Sequence, residues 1–274
     1  MATNRSFRVV IFFVTSFLFS CCSSPQVGIS SSPLIQPEKA ISPETLISVL
    51  RERADKITTI KSSLSMTIQS RDIKQPKKMN GYIAISKPDK IRFKGFTFLG
   101  LELFDLAIMD DDFQLFIPSK NELYRGSRED VLNSPISMPL FPEDITLMFY
   151  SESYGSSHFK CREENDYYLL SLPWKDNGTL QRSKKMWIDK KNLTIVKMEI
   201  YSGQELETRY NFYHYKLIGE NFFPYRIEIE RVKDESCIKV QVSSIEINHA
   251  IDPEAFTIPT DAIKSIKPWG KTNN

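Results

Sequence analysis

Three histidines, three consecutive aspartates and four cysteines are the residues of this 274-residue chain that could perform chemistry. The histidines, His158, His214 and His249, fall in separate segments. No nucleophile motif, H-E-x-x-H zinc motif or glycine-rich phosphate loop accompanies them. Asp110–Asp112 form an acidic turn without the further ligand spacing of a calcium site. We therefore expect no enzyme, no metal site and no cofactor.

Lipidation of Cys21 is the chemistry that the sequence favours. Residues 1–20 join Arg5 and Arg8 to an apolar run that is too short to span a bilayer and typical of a secretory signal peptide. The run ends in L-F-S-C, which is similar to the bacterial lipobox, where the cysteine is acylated and becomes the mature N-terminus. Cys22 as the acceptor, or an ordinary cleaved signal, are the alternatives.

The two remaining cysteines, Cys161 and Cys237, lie in predicted strands. In an oxidising periplasm they could form a disulfide, or they could stay free and buried. The sequence leaves both states open, because a disulfide needs Cα atoms within about 7 Å of each other.

The charge balance argues against a nucleic-acid partner. The chain has 36 Lys and Arg against 34 Asp and Glu, and two of the arginines lie in the signal segment, so residues 21–274 are neutral overall. Nucleic-acid binding usually needs a basic face. Residues 21–41 are rich in Ser and Pro and predict a flexible tether. We place a folded domain at residues 42–262 and a C-terminal tail at residues 263–274.

The folded domain is predicted to begin with a helix. Ser42 can cap it, Pro43 suits the first turn, and apolar residues follow at helical spacing up to Ile57. About a dozen alternating segments with short turns between them then predict antiparallel strands. Residues 127–150 are apolar but broken by prolines, which indicates short helices. So many strands must curl, so we expect one curved antiparallel sheet whose apolar concave side is covered by the helices.

The segment G-F-T-F-L-G-L at residues 95–101 is an unusually apolar connection between two predicted strands. Connecting loops are normally polar because water satisfies their backbone groups. Such a loop can fold back onto its own domain, bind in a groove of a partner, or enter a membrane.

Residues 43–260 resemble the bacterial lipoprotein carriers LolA and LolB and their relatives. The resemblance lies in the leading helix, the Lys87-Pro88 turn before an I-R-F strand, the helical insertion, and the closing I-D-P-E-A-F-T-I-P at residues 251–259. It implies a mainly β fold, an unclosed half-barrel with a helical lid over a hydrophobic cavity. The local match is closest to the outer-membrane receptor LolB, through F-L-G at residues 98–100.

The resemblance assigns roles to several residues. Leu99 matches the projecting leucine that LolB needs to place lipoproteins in the membrane, and Phe96 and Phe98 would assist it. Phe98 replaces the proline of that loop. Lys87 stands where LolA has the arginine that latches the lid, and a lysine cannot form the same two-pronged contact. The resemblance does not show which apolar residues contact a ligand; the apolar pattern makes Phe93, Leu103, Leu115, Met148, Trp187 and Phe212 the expected cavity residues, with packed core as the alternative.

The resemblance also implies partners and a location. We expect a monomer, lipid-anchored to the outer membrane and facing the periplasm, since the residue after Cys21 is not the aspartate that favours inner-membrane retention. It would bind acyl chains, such as palmitate, of lipoproteins or lipids, receive them from a soluble LolA-like carrier and release them into the inner leaflet. The alternative is an anchored binding or assembly subunit whose apolar loop docks on a protein partner.

Overall fold

The computed structural model describes residues 41–71, 73–132, 142–149, 159–175 and 181–269. Residues 35–274 form one compact unit, and every element below lies in it, so this unit has its own core. The helices are α1 Pro43–Asp55, α2 Arg128–Leu132, α3 Pro142–Leu147 and a 3₁₀ turn at Pro253–Phe256. The strands are β1 Thr59–Gln69, β2 Lys77–Ser86, β3 Lys90–Phe96, β4 Glu102–Met109, β5 Asp112–Ile117, β6 Glu122–Ser127, β7 Lys160–Glu164, β8 Tyr167–Lys175, β9 Gln181–Asp189, β10 Ile195–Ser202, β11 Glu205–Ile218, β12 Asn221–Arg231, β13 Ser236–Ile247 and β14 Ser265–Pro268.

Helix α1 begins where the sequence predicts. The Ser42 hydroxyl accepts a hydrogen bond from the backbone N–H of Thr45 at 3.2 Å, and Pro43 occupies the first turn, where no N–H is needed. One face of the helix is buried and consists of Leu46, Ile47, Leu50 and Ala54. Burial of this apolar face is what holds a 13-residue helix in place.

The strands of the described residues form one sheet with the order β14-β6-β5-β4-β3-β2-β1-β13-β12-β11-β10-β9-β8-β7. All neighbouring strands are antiparallel except β14, which runs parallel to β6. Two different edge strands, β14 and β7, end the sheet, so the curved sheet is an unclosed barrel. The prediction of a single curved antiparallel sheet is confirmed.

The sheet has an apolar inner face, which α1 and α3 cover, and a more polar outer face. On the inner face Met66 lies between Val240 of β13 and Met79 of β2, and all three side chains are buried. On the outer face Glu199 pairs with Arg209 of the next strand. The strand alternation therefore separates one hydrophobic core from a surface of ion pairs.

The C-terminal segment after β13 covers part of the outer face. Arg92 and Asp105 form a buried two-pronged ion pair there, and Arg92 also donates to the Ala255 carbonyl at 3.4 Å. Farther along, Ile258 packs on Ala107 and Leu123. Residues 265–268 then add β14 to the sheet, so the residues that the sequence assigned to a tail include a strand.

Several sequence predictions concern residues 1–40, 133–141 and 150–158, which lie outside the described residues. These include the signal peptide, Cys21, the tether, His158 and the middle of the predicted lid. In the described part of the chain, no helix combines the length and apolar character needed to cross a membrane.

Cys161 and Cys237 are both free thiols. Cys161 pairs with Leu170 on the inner face of the edge strand β7, and Cys237 pairs with Glu230 on the outer face of β13. Five strands separate β7 from β13. The disulfide alternative is excluded because Cys161 and Cys237 lie six strand spacings of about 4.8 Å apart and on opposite faces of the sheet, far beyond the Cα separation that a disulfide bridges. Burial raises the pKa of both thiols.

Candidate functional site

The connection between β3 and β4 carries an exposed apolar tip, which we define as residues 97–101. Phe98 is 83% exposed, Leu99 72% and Leu101 66%, whereas Phe96 at the base is half-buried. The loop therefore does not fold back onto its own domain. Exposed apolar side chains that lie together in this way are typical of a binding surface.

The backbone of the tip forms its own hydrogen bonds. The Thr97 N–H donates to the Leu101 carbonyl at 2.8 Å, and the Gly100 N–H donates to the Thr97 carbonyl at 3.0 Å. The Leu101 N–H donates to the Thr97 hydroxyl at 3.1 Å. Gly100 has φ of +82°, a conformation that glycine adopts without strain. The turn thus holds Phe98 and Leu99 outward and lowers the number of backbone groups that need water.

A cavity of about 90 Å³ lies between the inner face and the two helices, within a wider recess of about 660 Å³ that includes open solvent. Its walls come from the end of α1, from α3 and the two residues after it, from the turn before β10, and from β10, β11 and β12. Most of the lining side chains are apolar, including Leu50, Ile57, Met148, Phe149, Met198, Phe212 and Phe222. The polar lining residues are Arg53, Thr194, Tyr215 and Asn221.

The end of α1 is fixed to the cavity rim by side chains. Arg53 donates to the carbonyls of Asn192 and Leu193 at 2.8 and 2.9 Å. The Lys56 ammonium Nζ lies 3.1 Å from the carboxylate Oε2 of Glu220 in the β11–β12 turn. Lys87, predicted as the lid latch, donates its ammonium to the Ala54 carbonyl at the end of α1. The ammonium of Lys87 therefore contacts the first helix.

A buried ion pair attaches α3 to the sheet. Asp144 of α3 accepts a hydrogen bond from the Tyr210 hydroxyl at 2.5 Å and pairs with the guanidinium of Arg231. The side chains of Asp144 and Arg231 are 3% and 7% exposed. Sequence reasoning missed this group, although an aspartate inside the apolar segment at residues 142–149 was a usable signal.

The predicted cavity residues have three different locations. Met148 and Phe212 line the cavity. Phe93 and Leu115 lie on the inner face but pack in the core, where the Phe93 ring lies so close to Gly81 that a Cβ there would be 2.8 Å away. Leu103 and Trp187 lie on the outer face.

The prediction for Leu103 and Trp187 is corrected by the strand register. Leu103 alternates with the inward Phe104 and is 40% exposed. Trp187 is next to Lys197 of β10, whose ammonium lies 3.4 Å from the ring centre, and its indole N–H donates to Glu164 at 3.1 Å. Both residues are apolar, but they occupy the alternate strand positions whose side chains point to the outer face.

The histidines and the three consecutive aspartates do not come together in one site. His214 lies in β11 with φ of +55° and is exposed, and His249 is exposed near the start of β1. Asp110 and Asp111 form the β4–β5 turn, and Asp112 begins β5. Within the described ranges, no group of three or more His, Cys, Asp and Glu side chains could hold a metal ion.

A protein-family model with the description "Uncharacterized protein" matches residues 80–260. No curated protein matches the chain by sequence. The family match begins within β2 and extends through the closing segment, and so includes the tip and most of the cavity wall.

Three solved structures have a similar fold. A LolA superfamily protein from Nitrosomonas europaea is 16% identical, with a TM-score of 0.58 over 80% of this chain and 99% of that one. A DUF1329 family protein from Desulfovibrio piger is 15% identical, with a TM-score of 0.60 over 77% and 94%. A domain assigned to outer membrane lipoprotein sorting, from Vibrio parahaemolyticus, is 14% identical, with a TM-score of 0.57 over 77% and 95%. At these identities the likeness shows the fold alone, a curved unclosed sheet similar to that of the LolA superfamily protein.

Proposed function

The chain belongs to the family whose model matches residues 80–260, and from this premise and its LolA-like fold we propose that it is a lipid-anchored carrier of acyl chains. It binds the acyl chains of lipoproteins or lipids beneath α1 and α3 and helps to deliver them to the outer membrane. The exposed apolar tip is the observation that carries this proposal. The sorting function assigned to the neighbour from Vibrio parahaemolyticus supports it.

The tip has the properties of a membrane-contact loop. Burying a phenylalanine or leucine side chain in an apolar medium gains about 1.5–3 kcal/mol, so Phe98, Leu99 and Leu101 together would favour entry into a leaflet. The internal hydrogen bonds of the tip reduce the cost of bringing its backbone out of water. We place the anchor on Cys21, which would keep the tip near the inner leaflet of the outer membrane.

Binding of an acyl chain requires α3 to move away from the cavity. An engineered cavity of about 150 Å³ in another protein holds a single benzene, whereas the cavity here is about 90 Å³. The cavity in this conformation is therefore too small for an acyl chain. In the proposed cycle a soluble LolA-like carrier supplies the chain, α3 moves outward, and the walls close on the methylene groups. No step of this cycle needs a catalytic residue.

The first experiment measures whether binding depends on acyl chains. Residues 35–274 would be mixed with a triacylated lipopeptide or with the same peptide without its acyl chains, and analysed by native mass spectrometry. We expect a complex with the acylated peptide alone. Equal binding of both peptides, or binding of neither, would contradict the proposal and favour the assembly subunit whose tip docks on a protein partner.

The second experiment tests the tip with Leu99→Glu in the full-length lipidated protein. We expect at least a tenfold slower transfer of a fluorescent triacylated lipopeptide into phosphatidylethanolamine and phosphatidylglycerol vesicles, because a carboxylate does not enter the leaflet. The matched control is Val232→Glu, at a residue that is 51% exposed and outside the tip. Unchanged transfer by Leu99→Glu, or a melting temperature several degrees lower, would contradict the role of the tip.

A further inference from the structure

Asn221 is a buried polar residue in the wall of the cavity. It is the first residue of β12, directly after the β11–β12 turn, and only 6% of it is exposed. Its side-chain oxygen Oδ1 has no hydrogen-bond partner among the described residues. A buried acceptor without a partner is unfavourable, because it has lost water and gained nothing in return.

None of the described residues that line the cavity beside Asn221 donates a hydrogen bond to its Oδ1. Phe222 and Pro224 follow it on β12, and Phe212 and Met198 supply apolar surface from β11 and β10. Arg53 lines the same cavity, but it donates to the carbonyls of Asn192 and Leu193. The cavity therefore combines mainly apolar walls with an acceptor that has no partner in the described part of the chain, which is the arrangement that orients a ligand in a mainly hydrophobic site.

We infer that the cavity selects amphiphiles that carry a hydrogen-bond donor, an amide N–H or a hydroxyl, directly beside the apolar chain. Asn221 Oδ1 accepts the hydrogen bond from this donor, while the methylene groups contact the phenylalanine and methionine side chains. This inference rests on the proposed binding of acyl chains and adds the chemistry of the group next to the chain. An N-acylated peptide and a hydroxylated lipid share that chemistry.

The selectivity follows from the cost of burying unpaired groups. A ligand with a donor forms a hydrogen bond with Asn221 Oδ1. A ligand with the same chain and no donor excludes water from the cavity and leaves this oxygen unpaired. A site built for a hydrogen bond discriminates against analogues that lack the donor. Removal of the oxygen should abolish this discrimination and should favour the ligand without a donor.

The experiment compares two amides of the same chain length, in one of which a methyl group replaces the donor hydrogen. N-Methyldodecanamide has one N–H, and N,N-dimethyldodecanamide has none. Calorimetric titration of residues 35–274 should show five- to tenfold tighter binding of the first amide. In Asn221→Leu the ratio should fall to about one, with the dimethyl amide bound at least as tightly as by the unmodified protein.

Gln114→Leu is the matched control, because Gln114 Oε1 is another buried oxygen without a partner among the described residues and lies in β5, outside the cavity. This variant should keep the preference for the amide with the N–H. Equal affinities of the unmodified protein for both amides would overturn the inference and leave acyl binding intact. Binding of neither amide would overturn the proposed function as well. The comparison in the unmodified protein decides the question even if Asn221→Leu fails to fold.

The source of the donor is a separate comparison. A glycerolipid with a 2-hydroxylated acyl chain and an N-acylated lipopeptide would be titrated under the same conditions. Tighter binding of the lipopeptide would identify lipoproteins as the source, and tighter binding of the glycerolipid would identify membrane lipids. A preference for either one that disappears in Asn221→Leu supports the inference, and a preference that persists there contradicts it.

Discussion

Glu199 is a buried carboxylate on the outer face, and two basic side chains and a tyrosine hydroxyl surround it. The Tyr201 hydroxyl donates to it at 2.6 Å, Arg209 at 3.0 Å and Lys197 at 3.4 Å. Burial by itself raises the pKa of Glu199, but these contacts outweigh burial and hold the pKa below its usual value. Burial and the neighbouring Glu199 raise the pKa of Tyr201 to about 12. The carboxylate is therefore charged at neutral pH.

Glu199 should make the folded protein sensitive to acid. Because its pKa is lower in the folded state, it stabilises that state above about pH 4.3, the ordinary glutamate value. This contribution is lost as the pH falls from there through the folded-state pKa. Glu199→Gln should lower the melting temperature at pH 7 and make it fall less steeply between about pH 5 and pH 3.

The control for this measurement is Glu246→Gln, which changes an exposed glutamate on β13. Its melting temperature should follow that of the unmodified protein over the whole range. A Glu199→Gln variant with the same pH slope as the unmodified protein would show that the cluster does not contribute to acid sensitivity.

At the residue scale the sequence predicts the tip better than the cavity. Phe98 and Leu99 are predictable because a tight turn with a glycine leaves large side chains no place in the core. Trp187 and Leu103 were misplaced because an apolar residue can lie on either face of a strand, and only the neighbouring strands show which. Asp144 and Arg231 could not be paired from sequence, since 87 residues separate them.

Helix α3 is the element that we expect to move when the cavity opens. The end of α1 is tied to the sheet by Arg53 and Lys56, and a buried ion pair of Asp144 with Arg231, next to the hydrogen bond from Tyr210, joins α3 to the sheet. Removing one partner of a buried ion pair leaves the other charge without compensation and costs about 3–5 kcal/mol. The Asp144–Arg231 pair therefore stabilises the state in which α3 covers the cavity.

Asp144→Leu should release α3. We expect a loss of stability of about 3–5 kcal/mol in urea unfolding, together with stronger binding of a hydrophobic fluorescent dye in the cavity. The double variant Asp144→Leu and Arg231→Met should recover much of the stability, because it removes both buried charges. Arg71→Gln is the control, since it breaks an exposed ion pair with Glu235 and should change neither property. Dye binding by the single variant equal to that of the control would contradict this role of the pair.

At the element scale local signals located most strands and α1, but strand order required the structure. The capping serine and the period of apolar residues give α1 directly. The pairing of β1 with β13 joins segments far apart in sequence, and no local pattern encodes it. Strand β14 was missed because four residues that end in a proline do not form a recognisable alternating run.

The whole molecule depends on its C-terminal segment at one edge of the sheet. Strand β14 pairs with β6, and Trp269 packs edge-on against Phe113 and Tyr124 at centre distances of 5.1 and 6.2 Å. The backbone N–H of Trp269 donates to the Arg125 carbonyl at 2.6 Å. Without these contacts β6 would present unpaired backbone groups, which promote association with other chains.

Deletion of residues 264–274 should therefore affect both stability and association. Loss of the buried tryptophan alone corresponds to about 3–5 kcal/mol, and the free edge of β6 should lead to dimers or larger assemblies. Trp269→Ala keeps β14, so it should lose comparable stability in urea unfolding and yet elute in size-exclusion chromatography like the unmodified protein. If the two variants elute alike, β14 does not protect the sheet edge. If the truncated protein is as stable as the unmodified one, the segment does not belong to the core.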